Sequence, residues 1–340
     1  MTSDRRSFLK KSGLVGGALV AGTAGLARMA QVQAQTSPAP AAGTGQMARG
    51  FTFCTLRKGN AMSLGVKTDK GIVDVAAAEA AAKTGAPTTI TAVLEGKGDL
   101  GALKRLVETA QATHIVAEDK AQFGPCVTEP EKILCVGLNY RKHAAETNNP
   151  VPKLPILFNK FNSALNYHNG EISVSRETKA TQFDYEAELV IVIGRTARDV
   201  TEADALNYVF GYCTGNDFTA RDLQRQSSQW MLGKALDGSG PIGPYLVTAD
   251  LVDGDNLKIE CSVNGEVRQS SNTSDLVFNC KQLVSFCSQH FTLRPGDIIF
   301  TGTPSGVISG YPKDKQVWLK KGDKVVTTIE KLGALSFTLT

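Results

Sequence analysis

The chain has 340 residues, 42% of them hydrophobic and 21% charged, ordinary values for a globular protein. Its formal charge of +4 arises in residues 1–34, where Arg5, Arg6, Lys10, Lys11 and Arg28 face Asp4 alone. The remainder is neutral, which argues against a nucleic-acid-binding surface. Seven scattered cysteines without a CxxC pair argue against a disulfide framework and against a zinc site.

The first segment reads as a targeting signal. Arg5-Arg6-Ser7-Phe8-Leu9-Lys10 is followed by a Gly- and Ala-rich apolar run, Gly13–Ala27, and by the small-residue site Val32-Gln33-Ala34. This resembles a twin-arginine export signal covering 1–34, and the periplasm is the expected destination. The apolar run is too short for a stable membrane span. Residues 35–47 read as a linker, and 48–128 as a small α+β domain. In that domain Phe51–Leu56, Ser63–Val66 and Ile72–Val75 are expected strands. Ala76–Lys83 and the stretch carrying Leu100, Leu103, Leu106, Val107 and Ala110 are expected helices. No chemistry is evident there.

From 129 to 340 the pattern is strand-rich. Ile133–Gly137, Leu189–Ile193, Leu257–Val263 and Asp297–Thr301 are expected strands; Ala203–Val209 and Ser274–Ser288 are expected helices. There is no βαβ rhythm, GxGxxG or Walker loop, so no nucleotide is expected. After the first strand, His143 and Glu146 are three apart and share one helical face. A carboxylate beside an imidazole raises its basicity and makes a general base.

Asp184-Tyr185-Glu186-Ala187-Glu188 then runs without a break into the apolar Leu189–Ile193. In a strand Asp184, Glu186 and Glu188 share a face, with Glu186 and Glu188 roughly 6–7 Å apart. At an effective dielectric of about 20 they repel by roughly 2.5 kcal/mol before any desolvation cost, so a nearby cation is expected. Asp217 offers a third carboxylate, followed by Arg221 and Gln224 one and two turns on, and by Lys234. Arg221 and Lys234 read equally as salt-bridge partners. Gly302-Thr303-Pro304-Ser305-Gly306 is either a plain turn or a loop whose amides and hydroxyl hold a carboxylate.

Taken in this order, these pieces resemble the fumarylacetoacetate hydrolase family. Further matching pieces are Phe158-Asn159-Lys160, Val263-Asn264-Gly265-Glu266 and Leu293-Arg294-Pro295-Gly296-Asp297. The resemblance implies a mostly β (α+β) fold, with a rolled β-sheet catalytic domain over 129–340 behind the small N-terminal domain, usually as a homodimer. It implies Mg²⁺ or Mn²⁺ held by Glu186, Glu188 and Asp217, His143 and Glu146 as the base pair on a lid helix, and Lys234 as a catalytic cation. Lys160, Arg221, Gln224 and Thr303 take the substrate-holding positions. The implied reaction is metal-dependent hydrolysis of a C–C bond in a 2,4-dioxo, acylpyruvate-like acid. The alternative is decarboxylation, isomerisation, hydration or a lyase reaction of a 2-oxo acid at the same site. Three features depart from relatives: no carboxylate within Cys135–Tyr140, Phe161 after Lys160, and Ile308-Ser309 after Val307.

Overall fold

The computed structural model describes residues 46–175 and 179–340; the expected signal segment lies outside them. The architecture is organised by the strand Ala187–Ile193, every residue of which is buried. Its side chains alternate between two cores, as the two-residue period of a strand requires. Leu189, Ile191 and Ile193 join Tyr185, Ile259 and Phe337 on one side. Val190 and Val192 join Phe53, Leu103, Phe210 and Leu246 on the other. A strand with both faces covered needs no polar alternation, which is why its sequence is a continuous apolar run.

This strand lies inside an eleven-stranded sheet. Val209–Asn216 flanks it on one side and Ile298–Phe300 on the other, both antiparallel. Beyond Ile298–Phe300 come Ile133–Gly137, which pairs parallel, and the edge strand Ile156–Lys160. Beyond Val209–Asn216 comes Gly240–Thr248, then Thr52–Lys58, Ala61–Thr68, Gly71–Asp74 and Ile115–Val116. Phe53 pairs with Leu246, so the sheet of the N-terminal region continues that of the rest. The helices Val75–Ala82, Ile90–Leu94 and Leu100–Glu108 place Val75, Leu94 and Leu103 in the same core as Val190 and Val192. A five-stranded sheet, Glu266–Asn272, Lys258–Val263, Lys324–Ile329, Gly333–Leu339 and Gly170–Ile172, contributes to the opposite core.

Most expected elements appear within two or three residues of their anticipated ends. Two do not. Ala203–Val209 is only a 3₁₀ turn, Ala205–Tyr208, because Val209 already enters a strand. The helix expected at Ser274–Ser288 begins later, at Cys280, and runs to His290. Asn279 starts it: its side chain accepts from the Gln282 amide while Gln282 answers with its own side chain, a reciprocal capping box.

The strand ends that carry the site are fastened by Asn139, which is fully buried. Its Nδ2 donates to the carbonyls of Thr301 at 2.7 Å and Phe278 at 3.0 Å, and its Oδ1 accepts from the Phe278 amide. Leu138 beside it is left-handed, φ 55°. Asn139→Ala leaves one buried backbone group, the Thr301 carbonyl, and two part-buried ones at Phe278 without this partner. Denaturant unfolding is expected to show a loss of about 1–3 kcal/mol, the penalty for one buried unpaired group, with water reaching the other two. An unchanged midpoint would mean that the clamp is dispensable.

Candidate active site

The acidic motif does not form one strand. Phe183–Asp184 pairs with Thr219–Ala220 in a separate two-residue ladder. The main strand begins at Ala187. Between them the Glu186 amide donates to the Asn216 side chain, and the Glu186 carbonyl accepts from the Asp217 amide. This break brings Glu186, Glu188 and Asp217 together: one carboxylate oxygen from each lies within 4.8 Å of the other two, and all three residues are buried.

The cation demanded by their mutual repulsion is supplied by the protein itself. Arg221 NH2 is 2.7 Å from Glu186 Oε1, and Lys234 Nζ bridges Glu186 Oε2 and Asp217 Oδ2. Burial alone would raise the Glu186 carboxyl, but Arg221 and then Lys234 outweigh it and hold its pKa down at about 2. Glu188 has no such partner. Burial, then Asp217 and Glu186, push its carboxyl well above the ordinary 4.5, and the more distant Lys234 charge and the Gly302 amide at 2.8 Å offset only part of this. Burial lowers Lys234, but Asp217 and Glu186 more than compensate and raise it.

His143 and Glu146 lie on the short helix Arg141–Glu146, and His143 Nδ1 meets Glu146 Oε1 at 2.8 Å. The other Glu146 oxygen accepts from the Gly306 amide at 2.8 Å. The imidazole is buried and its Nδ1 is committed, which leaves Nε2 for chemistry. His143, Glu146, Glu186, Glu188, Arg221, Gln224, Lys234 and Thr303 all line one cavity of about 900 Å³.

Lys160 reaches the cluster but not the cavity wall. It is buried, and its Nζ lies 2.8 Å from Asp217 Oδ1 and donates to Ser239 and to the Lys234 carbonyl. There it supports the residues that carry the site. Thr303 lines the cavity with its hydroxyl oxygen accepting from Gln269 Nε2 at 2.8 Å. The Gly302–Gly306 loop does hold carboxylates, but they are the protein's own, Glu188 and Glu146. Gly302 and Gly306 sit at φ 102° and 107°, and a Cβ at Gly306 would lie 2.2 Å from the Arg268 carbonyl. Glycine is therefore required at both.

Asp184 was visible in the motif, but its role was not. Its Oδ2 accepts from Arg221 Nε at 2.8 Å and from the Ser309 amide; its Oδ1 accepts from the Ile308 amide. The apposition of two backbone amides from residues 308–309 with an acid at 184 has no signature in sequence spacing.

A divalent ion fits the donor set. Three carboxylates offer hard oxygens suited to Mg²⁺ or Mn²⁺. Asp217 Oδ1 is buried and accepts no hydrogen bond despite its closeness to Lys160. An ion held there would share Glu186 and Asp217 with Lys234 and would need Glu188 in its deprotonated form.

That last point gives a pH dependence. A carboxyl whose folded pKa lies above its ordinary value stabilises the metal-free fold below about 4.5, and that contribution is lost as pH rises through the folded value. Metal binding requires the deprotonated form, so affinity should climb by up to about tenfold per pH unit over that range. The thermal stabilisation given by Mn²⁺ should accordingly be larger at pH 8 than at pH 5.5, a difference that Glu188→Gln removes. A pH-independent increment in the wild type would contradict this reading of Glu188.

Comparison with known proteins agrees with the geometry. The model of the fumarylacetoacetate (FAA) hydrolase C-terminal family matches residues 132–340. A mitochondrial oxaloacetate tautomerase of Bos taurus is 43% identical over 269 residues, covering 78% of this chain and 82% of the bovine protein. Its Homo sapiens counterpart is 42% identical, over 73% and 79% of the two chains. The solved fumarylacetoacetate hydrolase of Exiguobacterium antarcticum superposes with a TM-score of 0.72 at 32% identity, covering 85% of this chain and 99% of that one. The fumarylpyruvate hydrolase of Pseudomonas aeruginosa, solved with Mn²⁺ and pyruvate, gives 0.56 at 34% identity, over 64% and 91%. The periplasmic destination expected from residues 1–34 is overturned: the curated tautomerases are mitochondrial, which points against twin-arginine export. Among the described residues no helix is long and apolar enough to cross a membrane. The expected mostly β, α+β fold is the one observed, and the chain belongs to the fumarylacetoacetate hydrolase family.

Proposed function

We propose that the protein is a divalent-metal-dependent enzyme that moves a proton at C3 of a 2-oxo acid, with oxaloacetate tautomerisation as its reaction. The observation that carries this reading is that the His143–Glu146 pair and the acidic cluster open onto one cavity. Glu186, Glu188 and Asp217 would hold Mg²⁺ or Mn²⁺, which would supply positive charge for the oxygens of the 2-oxo acid. Arg221, Gln224 and Lys234 orient the acid from the cavity wall. His143 takes the C3 proton through Nε2, the C3–H electron pair becomes the C2–C3 double bond as the C2–O π pair moves onto oxygen, and the imidazolium returns the proton to that oxygen, directly or through a water. Glu146 holds Nδ1–H and steadies the imidazolium. The buried acids Asp184, Glu186 and Asp217 are matched by Lys160, Arg221 and Lys234, so a divalent ion bound beside Glu188 would add positive charge at the end of the cavity that takes the acid.

The relatives named as oxaloacetate tautomerases support this choice over the C–C hydrolysis inferred from the sequence. Hydrolysis of an acylpyruvate remains the second reading, because the same His143–Glu146 pair can activate water, and because a 34% identical neighbour is a fumarylpyruvate hydrolase. A homodimer belongs to the proposal, on the family resemblance.

The two readings separate by product. With Mn²⁺ present, tautomerisation speeds loss of the enol absorbance of oxaloacetate and C3 deuterium exchange, with no carbon lost. Hydrolysis releases a 2-oxo acid from acylpyruvates. His143→Ala should lower turnover by roughly 10²–10⁴, the worth of a general base, and leave Mn²⁺ affinity within about twofold. Glu186→Gln should abolish Mn²⁺ binding and turnover together. If His143→Ala loses metal as fully as Glu186→Gln does, His143 is a ligand or a support and the division of roles is wrong.

A further inference from the structure

The charged groups lining the cavity divide into two sets. The inner set, Glu188 apart, is internally paired: Arg221 with Asp184 and Glu186, Lys234 with Glu186 and Asp217, and Glu146 with His143. The outer set is Arg225 and Lys313, both exposed and both cationic. Among the described residues neither side chain takes part in an ion pair or a hydrogen bond. Arg225 caps the helix Arg221–Gln224, and Lys313 opens the turn Lys313–Lys315. They therefore reach the same cavity from separate segments of chain. Trp230, Phe158 and Tyr311 supply apolar wall for a carbon chain to cross.

We propose that Arg225 and Lys313 form a second anion-recognition position at the outer end of the cavity, selecting 2-oxo acids that carry a distal carboxylate. The inference rests on the proposed 2-oxo acid site and adds to it the residues that distinguish a dicarboxylic from a monocarboxylic substrate. A guanidinium takes a carboxylate through two parallel hydrogen bonds, while Lys313 contributes a point charge. Because both groups are solvent-exposed, the discrimination they give is moderate.

The test is titration calorimetry on the full Mn²⁺-loaded protein with three ligands. Oxalate can occupy only the metal end, 2-oxoglutarate has a distal carboxylate, and 2-oxohexanoate has a comparable chain without one. The wild type should bind 2-oxoglutarate more tightly than 2-oxohexanoate. Arg225→Gln combined with Lys313→Gln should weaken 2-oxoglutarate by about three- to tenfold, and move oxalate and 2-oxohexanoate by less than about twofold. Arg225→Lys, which keeps the charge but not the fork, should retain part of the preference. Equal weakening of all three ligands, or none, overturns the proposal. Failure of oxalate to bind the wild type would overturn the metal-site reading itself, and this inference with it.

Discussion

Everything at the site depends on the ion pairs that Glu186 makes inside the fold. A carboxylate at that depth is costly, and Glu188 and Asp217 beside it make it costlier. Arg221 on one oxygen and Lys234 on the other reverse the balance. Lys234 also meets Asp217, which in turn lies against Lys160. The buried charges thus form a chain rather than separate pairs, and Glu188 is its one acid without a cationic partner. That shortfall makes a divalent ion the natural completion of the cluster. It also gives Lys234 a double role, as internal counter-charge and as a donor facing the cavity.

The same logic extends to the loop that follows Ile298–Phe300. Its amides reach three acids: Gly302 donates to Glu188, Gly306 to Glu146, and Ile308 and Ser309 to Asp184. One short segment therefore positions an acid of the buried carboxylate cluster, the carboxylate behind His143 and the carboxylate behind Arg221. Substitutions in this loop should disturb several functions together even where no loop side chain touches substrate. The left-handed Gly302 and Gly306 explain how the chain bends closely enough to present its amides this way.

Much of this was legible in the sequence because it is periodic or local. The apolar run Leu189–Ile193 announced a strand covered on both faces, and the spacing of His143 and Glu146 announced a hydrogen-bonded pair. The break at Tyr185–Glu186 was not legible. Alternation puts Asp184, Glu186 and Glu188 on one face, but a tertiary bond from the Glu186 amide to Asn216 interrupts the strand and sends Asp184 to Arg221. Likewise Lys160 sits beside the site in sequence logic yet faces Ser239 and Asp217 in space. The late start of the helix Cys280–His290 could have been read from the Asn279–Gln282 pair. The periplasmic expectation is overturned by the mitochondrial relatives and not by any contact of the fold, since the segment that carried it lies outside the described residues.

The central claim is a division of labour: three carboxylates hold the metal, and His143 acts apart from it as the base. Electron paramagnetic resonance of Mn²⁺ bound to the wild type, with pulsed detection of ¹⁴N couplings, tests this most directly. The account predicts one saturable Mn²⁺ per chain with an all-oxygen first coordination sphere, and no directly coordinated nitrogen. A strong ¹⁴N coupling that disappears in His143→Ala would make the histidine a ligand and contradict it, as would the absence of any saturable site.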